Sequence, residues 1–134
     1  MSQHHVPRRV FPRLIVRGTD AAIAFYQNSF GAELMERFAG PDGLVSHASL
    51  TLGDYSIALS EEVPDWGWVS PMSLGGSPVL IQLDLEDCEM VAHKMLTEGA
   101  EVVIPIKDRP YGKREGRIRD PFGHLWILSQ QVAK

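Results

Sequence analysis

The sequence predicts an α+β fold made of two copies of one βαβββ unit, and three features predict it. First, TDAAIAFYQNSFGAEL, from Thr19, is echoed by EDCEMVAHKMLTEGAEVV, from Glu86. Each stretch carries an acidic residue after a β-like run, continues as an amphipathic helix, and stops at Gly-Ala-Glu followed by an aliphatic residue. Second, the segments around these helices alternate polar and apolar residues, the period of a strand. Third, Pro-, Gly- and Asp-rich turns separate the alternating segments. A repeat of about 65–70 residues is longer than solenoid periods. Two copies in 134 residues therefore form one pseudo-symmetric domain with a site between its halves.

The elements follow in order. Residues 10–16 (VFPRLIV) read as a strand, with Pro12 tolerable at an edge or strand start. Thr19 or Asp20 offers a helix N-cap. Ala22, Ile23, Phe25, Tyr26 and Phe30 then recur at helical spacing, and Gly31 sits where a C-cap glycine belongs. Residues 32–38 form a second strand, Pro41-Asp42-Gly43 a turn, residues 44–52 a third strand, and residues 55–60 a fourth after Gly53-Asp54. Residues 63–77 (VPDWGWVSPMSLGGS) lack a period and read as a linker or lid. The pattern restarts with a strand at 78–85, a helix at 87–99 and a strand at 100–104. Residues 117–119 belong to a further strand, and 124–129 to the last, after the Asp120-Pro121-Phe122-Gly123 turn. Two modules, 10–62 and 78–130, make up a single domain over 1–134. Residues 108–116 are too polar for a core and read as a mobile lid.

Alternation assigns faces. Leu14 and Val16 oppose Arg13 and Ile15; Ala48, Leu50 and Leu52 oppose His47, Ser49 and Thr51; Val79, Ile81, Leu83 and Leu85 oppose Leu80, Gln82 and Asp84. One face suits burial under helices. The other, mixed in character, suits either a ligand-holding concavity or a solvated sheet surface.

A net charge of −4 argues against a nucleic-acid binder. The one cysteine, Cys88, has no disulfide partner and reads as a packing residue. No apolar run approaches the roughly 18 residues of a membrane helix, and no signal-peptide core opens the chain, so a cytoplasmic protein is expected.

AIAFYQNSFGAEL, PDGLVSHASLTLGD, GAEVV and above all RIRDPFGHLWIL make the chain similar to the vicinal oxygen chelate superfamily. That superfamily groups glyoxalase I, bleomycin-resistance proteins and extradiol dioxygenases. The resemblance implies two βαβββ modules forming a cupped mixed sheet, helices on the outer face, in a homodimer with sites inside the cups. It also implies four metal-ligand positions, His or Glu, on the first and last strands of each module. Carried over one at a time, they fall at Phe11 (or Pro12), Ala58, Leu80 and Ile127. None of these can ligate a metal, so no cofactor is expected and a divalent ion is disfavoured.

What remains points to binding. Trp66 and Trp68 offer flat surfaces to a planar ligand, or pack under the crossover. Arg13 and Gln82 face the cup and suit a carboxylate or carbonyl; Arg13 could instead bridge to Asp84. Phe38 supplies an apolar wall, and Tyr111 overhangs the rim. His47, facing the cup, is the one candidate for a base, against the commoner role of a hydrogen-bonded packing residue. His4 and His5 sit in the N-terminal tail, and His124 braces a turn. The resemblance to the bleomycin-resistance branch implies a metal-free homodimer sequestering an aromatic or planar small molecule, such as an antibiotic. The overall acidity suits a cationic one. The alternatives are a lyase, isomerase or dioxygenase with non-standard metal ligands or with His47 as base, and a partner-binding module. Neither nucleic acid nor membrane is an expected partner.

Overall fold

In a computed structural model describing residues 5–132, the chain forms two four-stranded mixed sheets. The first contains β1 (Arg13–Val16), β2 (Glu33–Ala39), β3 (Val45–Leu52) and β4 (Tyr55–Glu61) in the order β1-β4-β3-β2. The second contains β5 (Leu80–Asp84), β6 (Glu101–Asp108), β7 (Lys113–Arg119) and β8 (Leu125–Gln131) in the matching order β5-β8-β7-β6. The β1–β4 and β5–β8 pairs are parallel; the others are antiparallel. Helix α1 (Thr19–Phe30) follows β1 and helix α3 (Cys88–Thr97) follows β5, with the one-turn helix α2 (Pro71–Leu74) in the crossover.

Helix α1 buries Ala22, Ile23, Phe25 and Tyr26, the face its spacing predicts, and ends at Gly31 with φ 70°. A left-handed residue costs glycine little, which is why the helix stops there. Its start differs from expectation. Neither Thr19 nor Asp20 caps it; the cap is Gly18, and the Glu61 carboxylate at the end of β4 accepts from the Gly18 and Thr19 amides and the Thr19 hydroxyl (3.0, 3.0 and 2.8 Å). A carboxylate from 42 residues away thus fills the anion position at a helix N-terminus.

The sheet faces split as the alternation predicts. Leu14, Val16, Ala48, Leu50 and Leu59 lie in the core, joined by Ile118, Trp126 and Leu128 of the second sheet and Met95 of α3. Alternate residues form a face turned away from the helices, called here the open face. Strand β1 starts later than expected, at Arg13. Pro12 cannot donate to a ladder, though its carbonyl still accepts from the Ala58 amide at 2.9 Å.

Two segments read as loops are more ordered than expected. Residues 63–77 hold a 3₁₀ turn at Pro64–Trp66 and α2, capped by Ser70 with Pro71 at its first position. Glu62 pins the segment by accepting from the Ser70 amide (2.8 Å) and the Ser73 hydroxyl (2.6 Å). Those hydrogen bonds hold its carboxyl down to about 2. Residues 108–116, expected to be a lid, mostly continue the β6–β7 hairpin, whose turn is residues 109–112. Its polarity is absorbed by cross-strand pairing: Arg114 reaches Asp108 at 2.7 Å.

The modules are joined on the helix side, where α1 packs against α3. At the joint lies buried Asp120. One oxygen accepts from the Phe122 and His124 amides (2.9 and 3.0 Å); the other accepts from the Tyr26 hydroxyl of the first module and the Trp126 indole (2.5 and 2.9 Å). Burial, and then the Asp120 charge, push the Tyr26 hydroxyl well above its ordinary range, so it remains a donor. His124 donates from Nε2 to the Ile15 carbonyl at 2.9 Å, bracing the two modules against each other rather than only its own turn.

Candidate functional site

Strand register sets the open face of the first module. Arg13 lies opposite Ala58 and Ile15 opposite Ser60; Ser49 also pairs Ala58; Glu36 pairs Ser49 and Phe38 pairs His47. These side chains share one face of the sheet, on which Ala58 and Ser60 are buried and Phe38 is exposed. At its centre Arg13 donates from Nη1 to the Ser60 hydroxyl (2.9 Å) and to His47 Nδ1 (3.0 Å). Its guanidinium lies 5.9 Å from the centre of the Trp68 ring, within cation–π range. Phe38 stacks on His47, with centroids 5.9 Å apart and planes 22° apart. Four of the residues singled out from sequence, Arg13, Phe38, His47 and Trp68, are thereby brought together. The Arg13–Asp84 bridge does not form; Asp84 instead accepts from Gln82 at 3.0 Å.

This geometry fixes what His47 can do. A guanidinium only donates, so Nδ1 is the acceptor; Nε2 then carries the proton and donates to Glu36 Oε1 at 3.3 Å. Both nitrogens are engaged, and no lone pair is free to take a proton from a ligand. The arrangement favours an oriented ring in a platform over a general base.

Trp66 meets Trp68 edge-on (5.2 Å, 87°) and is 66% exposed, at the rim rather than in the platform. Gln82 belongs to the other sheet and Tyr111 to its β6–β7 turn. There Gln82 pairs Ile127 as Arg13 pairs Ala58, and Asp84 pairs Ser129 as Ile15 pairs Ser60, so the two parallel strand pairs share one register. The second open face holds a cavity of about 260 Å³ walled by Ile104, Arg109, Tyr111, Glu115, Arg117 and Ile127. Glu115 accepts from the Tyr111 hydroxyl (2.7 Å) and the Ser129 hydroxyl (2.8 Å), which hold its carboxyl below the usual range and push the Tyr111 phenol up. Sequence reasoning passed over Ser60, Glu36, Glu115 and Arg117; Ser60 and Glu36 lie two residues from Ala58 and Phe38, which it placed, whereas Glu115 lies in the segment it read as a lid.

The donor set does not fit a metal. Phe11 precedes β1, so the residues opposite Ala58 and Ile127 are Arg13 and Gln82, neither a carboxylate nor an imidazole. Among the described residues no three of His, Cys, Asp and Glu converge. His4 lies outside the described residues, and His5 is exposed. Also among the described residues, no helix is long and apolar enough to cross a membrane.

The family model described as Glyoxalase/Bleomycin resistance protein/Dioxygenase superfamily matches residues 3–128. A Mycobacterium tuberculosis (strain H37Rv) relative, "Uncharacterized protein Rv0887c", is 39% identical over 124 residues, covering 90% of this chain and 73% of that protein. Among solved structures, protein PA1353 from Pseudomonas aeruginosa superposes with a TM-score of 0.79 at 19% identity, covering 95% of this chain and 100% of that one. TioX from Micromonospora sp. ML1 superposes with a TM-score of 0.71 at 23% identity, covering 94% and 100%. Likeness at these identities speaks to the fold.

Proposed function

The chain belongs to the Glyoxalase/Bleomycin resistance protein/Dioxygenase superfamily, and within it we propose a metal-free protein that binds an aromatic or planar small molecule on its open faces. The carrying observation is the Arg13–His47–Phe38–Trp68 platform beside Ala58, where metal-dependent members would need a ligand. Stacked rings and a fixed guanidinium are what a flat ligand needs: apolar faces for its body and a donor for its polar edge. An antibiotic fits that class, as do other planar molecules. The reading extends to a homodimer. The modules join through their helices, which leaves the open faces as half-cups with Phe38, Leu80 and Ile104 exposed. A second copy closing over them would remove that apolar surface from water. Acid–base catalysis through His47 is not favoured, since its ring has no free lone pair.

N-phenyl-1-naphthylamine, a neutral planar fluorophore, tests this. It should saturate the protein, quench Trp emission, and bind about tenfold more weakly after Phe38→Ala or Arg13→Ala, matching roughly 1.4 kcal/mol of lost stacking. Light scattering should give twice the chain mass. Absence of saturable binding, or affinities unchanged by both substitutions, would overturn the assignment.

A further inference from the structure

Arg117 differs from the arginines around it. On the second module Arg109 is consumed by the Pro105 and Glu115 carbonyls (2.6 and 3.0 Å), Arg114 by Asp108, and Arg119 by Glu101 (2.6 Å). Arg117 has no carboxylate within salt-bridge distance among the described residues, and its Nε is buried without an acceptor. A buried N–H left unpaired costs about 1–3 kcal/mol, and more when the group is charged. Such a group is tolerated where an acceptor arrives from outside. Arg117 lines the 260 Å³ cavity, with Ile104 and Ile127 beside it and the Tyr111 ring at the edge.

We propose that this cavity takes the anionic end of the ligand: an oxoanion, carboxylate or sulfonate, carried on a planar body and held by Arg117. The inference rests on the open-face binding reading and names its ligand class. A guanidinium matches an oxoanion with charge-assisted, often paired hydrogen bonds. The planar body would lie along Tyr111 and Ile127. Glu115 shares the cavity, ionised and held by two hydroxyls, and opposes a second negative charge there. Glu115 therefore favours a ligand with one anionic group over one with two. The net charge of −4 suits cations, but charges beyond about 8 Å are screened at physiological salt, so the local guanidiniums decide: Arg109, whose donors are taken by carbonyls, and Arg117, whose Nε is not.

The test pairs two probes of one shape, 8-anilinonaphthalene-1-sulfonate (anionic) and N-phenyl-1-naphthylamine (neutral). The sulfonate should bind at least about tenfold more tightly than the neutral probe, as one charge-assisted hydrogen bond implies. Arg117→Gln should erase that advantage and leave the neutral probe within about twofold. Arg114→Gln, which removes the same charge outside the cavity, should change neither. Should Arg117→Gln fail to fold by near-ultraviolet circular dichroism, Arg117→Lys, keeping the charge without Nε, should give a partial loss of sulfonate affinity alone. Equal affinities of the two probes, or a sulfonate affinity unmoved by either substitution, overturn the inference while open-face binding stands. Failure of both probes on the unaltered protein overturns both readings.

Discussion

Asp120→Ala should destabilise the protein by about 3–5 kcal/mol, because it strips the acceptor from several buried donors at once. The Tyr26 hydroxyl and Trp126 indole, both fully buried, would be left unpaired, at about 1–3 kcal/mol each. The amides of Phe122 and His124 would lose their partner in the turn. Tyr26 cannot relieve the loss by ionising, since its burial already keeps the proton on. Because Tyr26 is on α1 and Asp120 precedes β8, the loss falls on the joint between modules, where α1 packs against α3. Urea unfolding followed by far-ultraviolet circular dichroism checks the magnitude. Asp120→Asn should lose less, since one oxygen remains while the new amide opposes donors. An unfolding free energy for Asp120→Ala within about 1 kcal/mol of the parent would show that water replaces the carboxylate and that this residue does not join the halves.

Gly116→Ala is expected to rank second, at about 1–3 kcal/mol, the usual cost of forcing atoms into a packed site. A Cβ built there would lie 2.5 Å from Ile106 Cγ1, 2.7 Å from the Ile106 amide nitrogen and 2.8 Å from the Ile104 carbonyl oxygen. Two of those three are backbone atoms, so no rotamer change relieves the clash. The register of β6 slips between Ile104 and Lys107, opposite this residue, which is how the strand passes so close. Ile104 also walls the Arg117 cavity. Displacing β6 should therefore weaken binding of the sulfonate probe along with lowering the urea midpoint. Unchanged stability would mean that β6 shifts freely at its bulge.

Most of the fold could be read from residue order because each element declares itself locally. The spacing from Ala22 to Phe30, Gly31 at the helix end and the parity of Leu14 and Val16 against Arg13 all survive in the structure. Local signals misled where polarity had an unseen partner. Residues 108–116 looked too polar for a core and read as a lid, yet Arg114 and Tyr111 satisfy Asp108 and Glu115 across the hairpin. The Ser70-Pro71 pair that starts α2 is a recognisable cap-plus-proline signal that the surrounding glycines obscured.

The site was legible in its members but not in its contacts. Arg13, Phe38, His47 and Trp68 could be chosen by face and residue type. That Arg13 would meet His47 and Ser60, 34 and 47 residues away, depends on the order β1-β4-β3. The neighbour relation of three strands is not written in any one of them. Arg117 was missed for a related reason: within KREGRIR it looks like one more solvated charge until its neighbours Arg114 and Arg119 are found paired and it is not.

The central claim is that the open faces bind without a metal, and one titration tests it most directly. N-phenyl-1-naphthylamine is titrated into protein exhaustively dialysed against EDTA, and into the same protein resupplied with Zn(II) or Mn(II), with metal content measured alongside. The expected result is one affinity throughout, with far less than one metal per chain in the untreated protein. Binding that disappears with the chelator and returns with the ion would contradict the claim and place a metal centre where Ala58 and Ile127 offer no ligand.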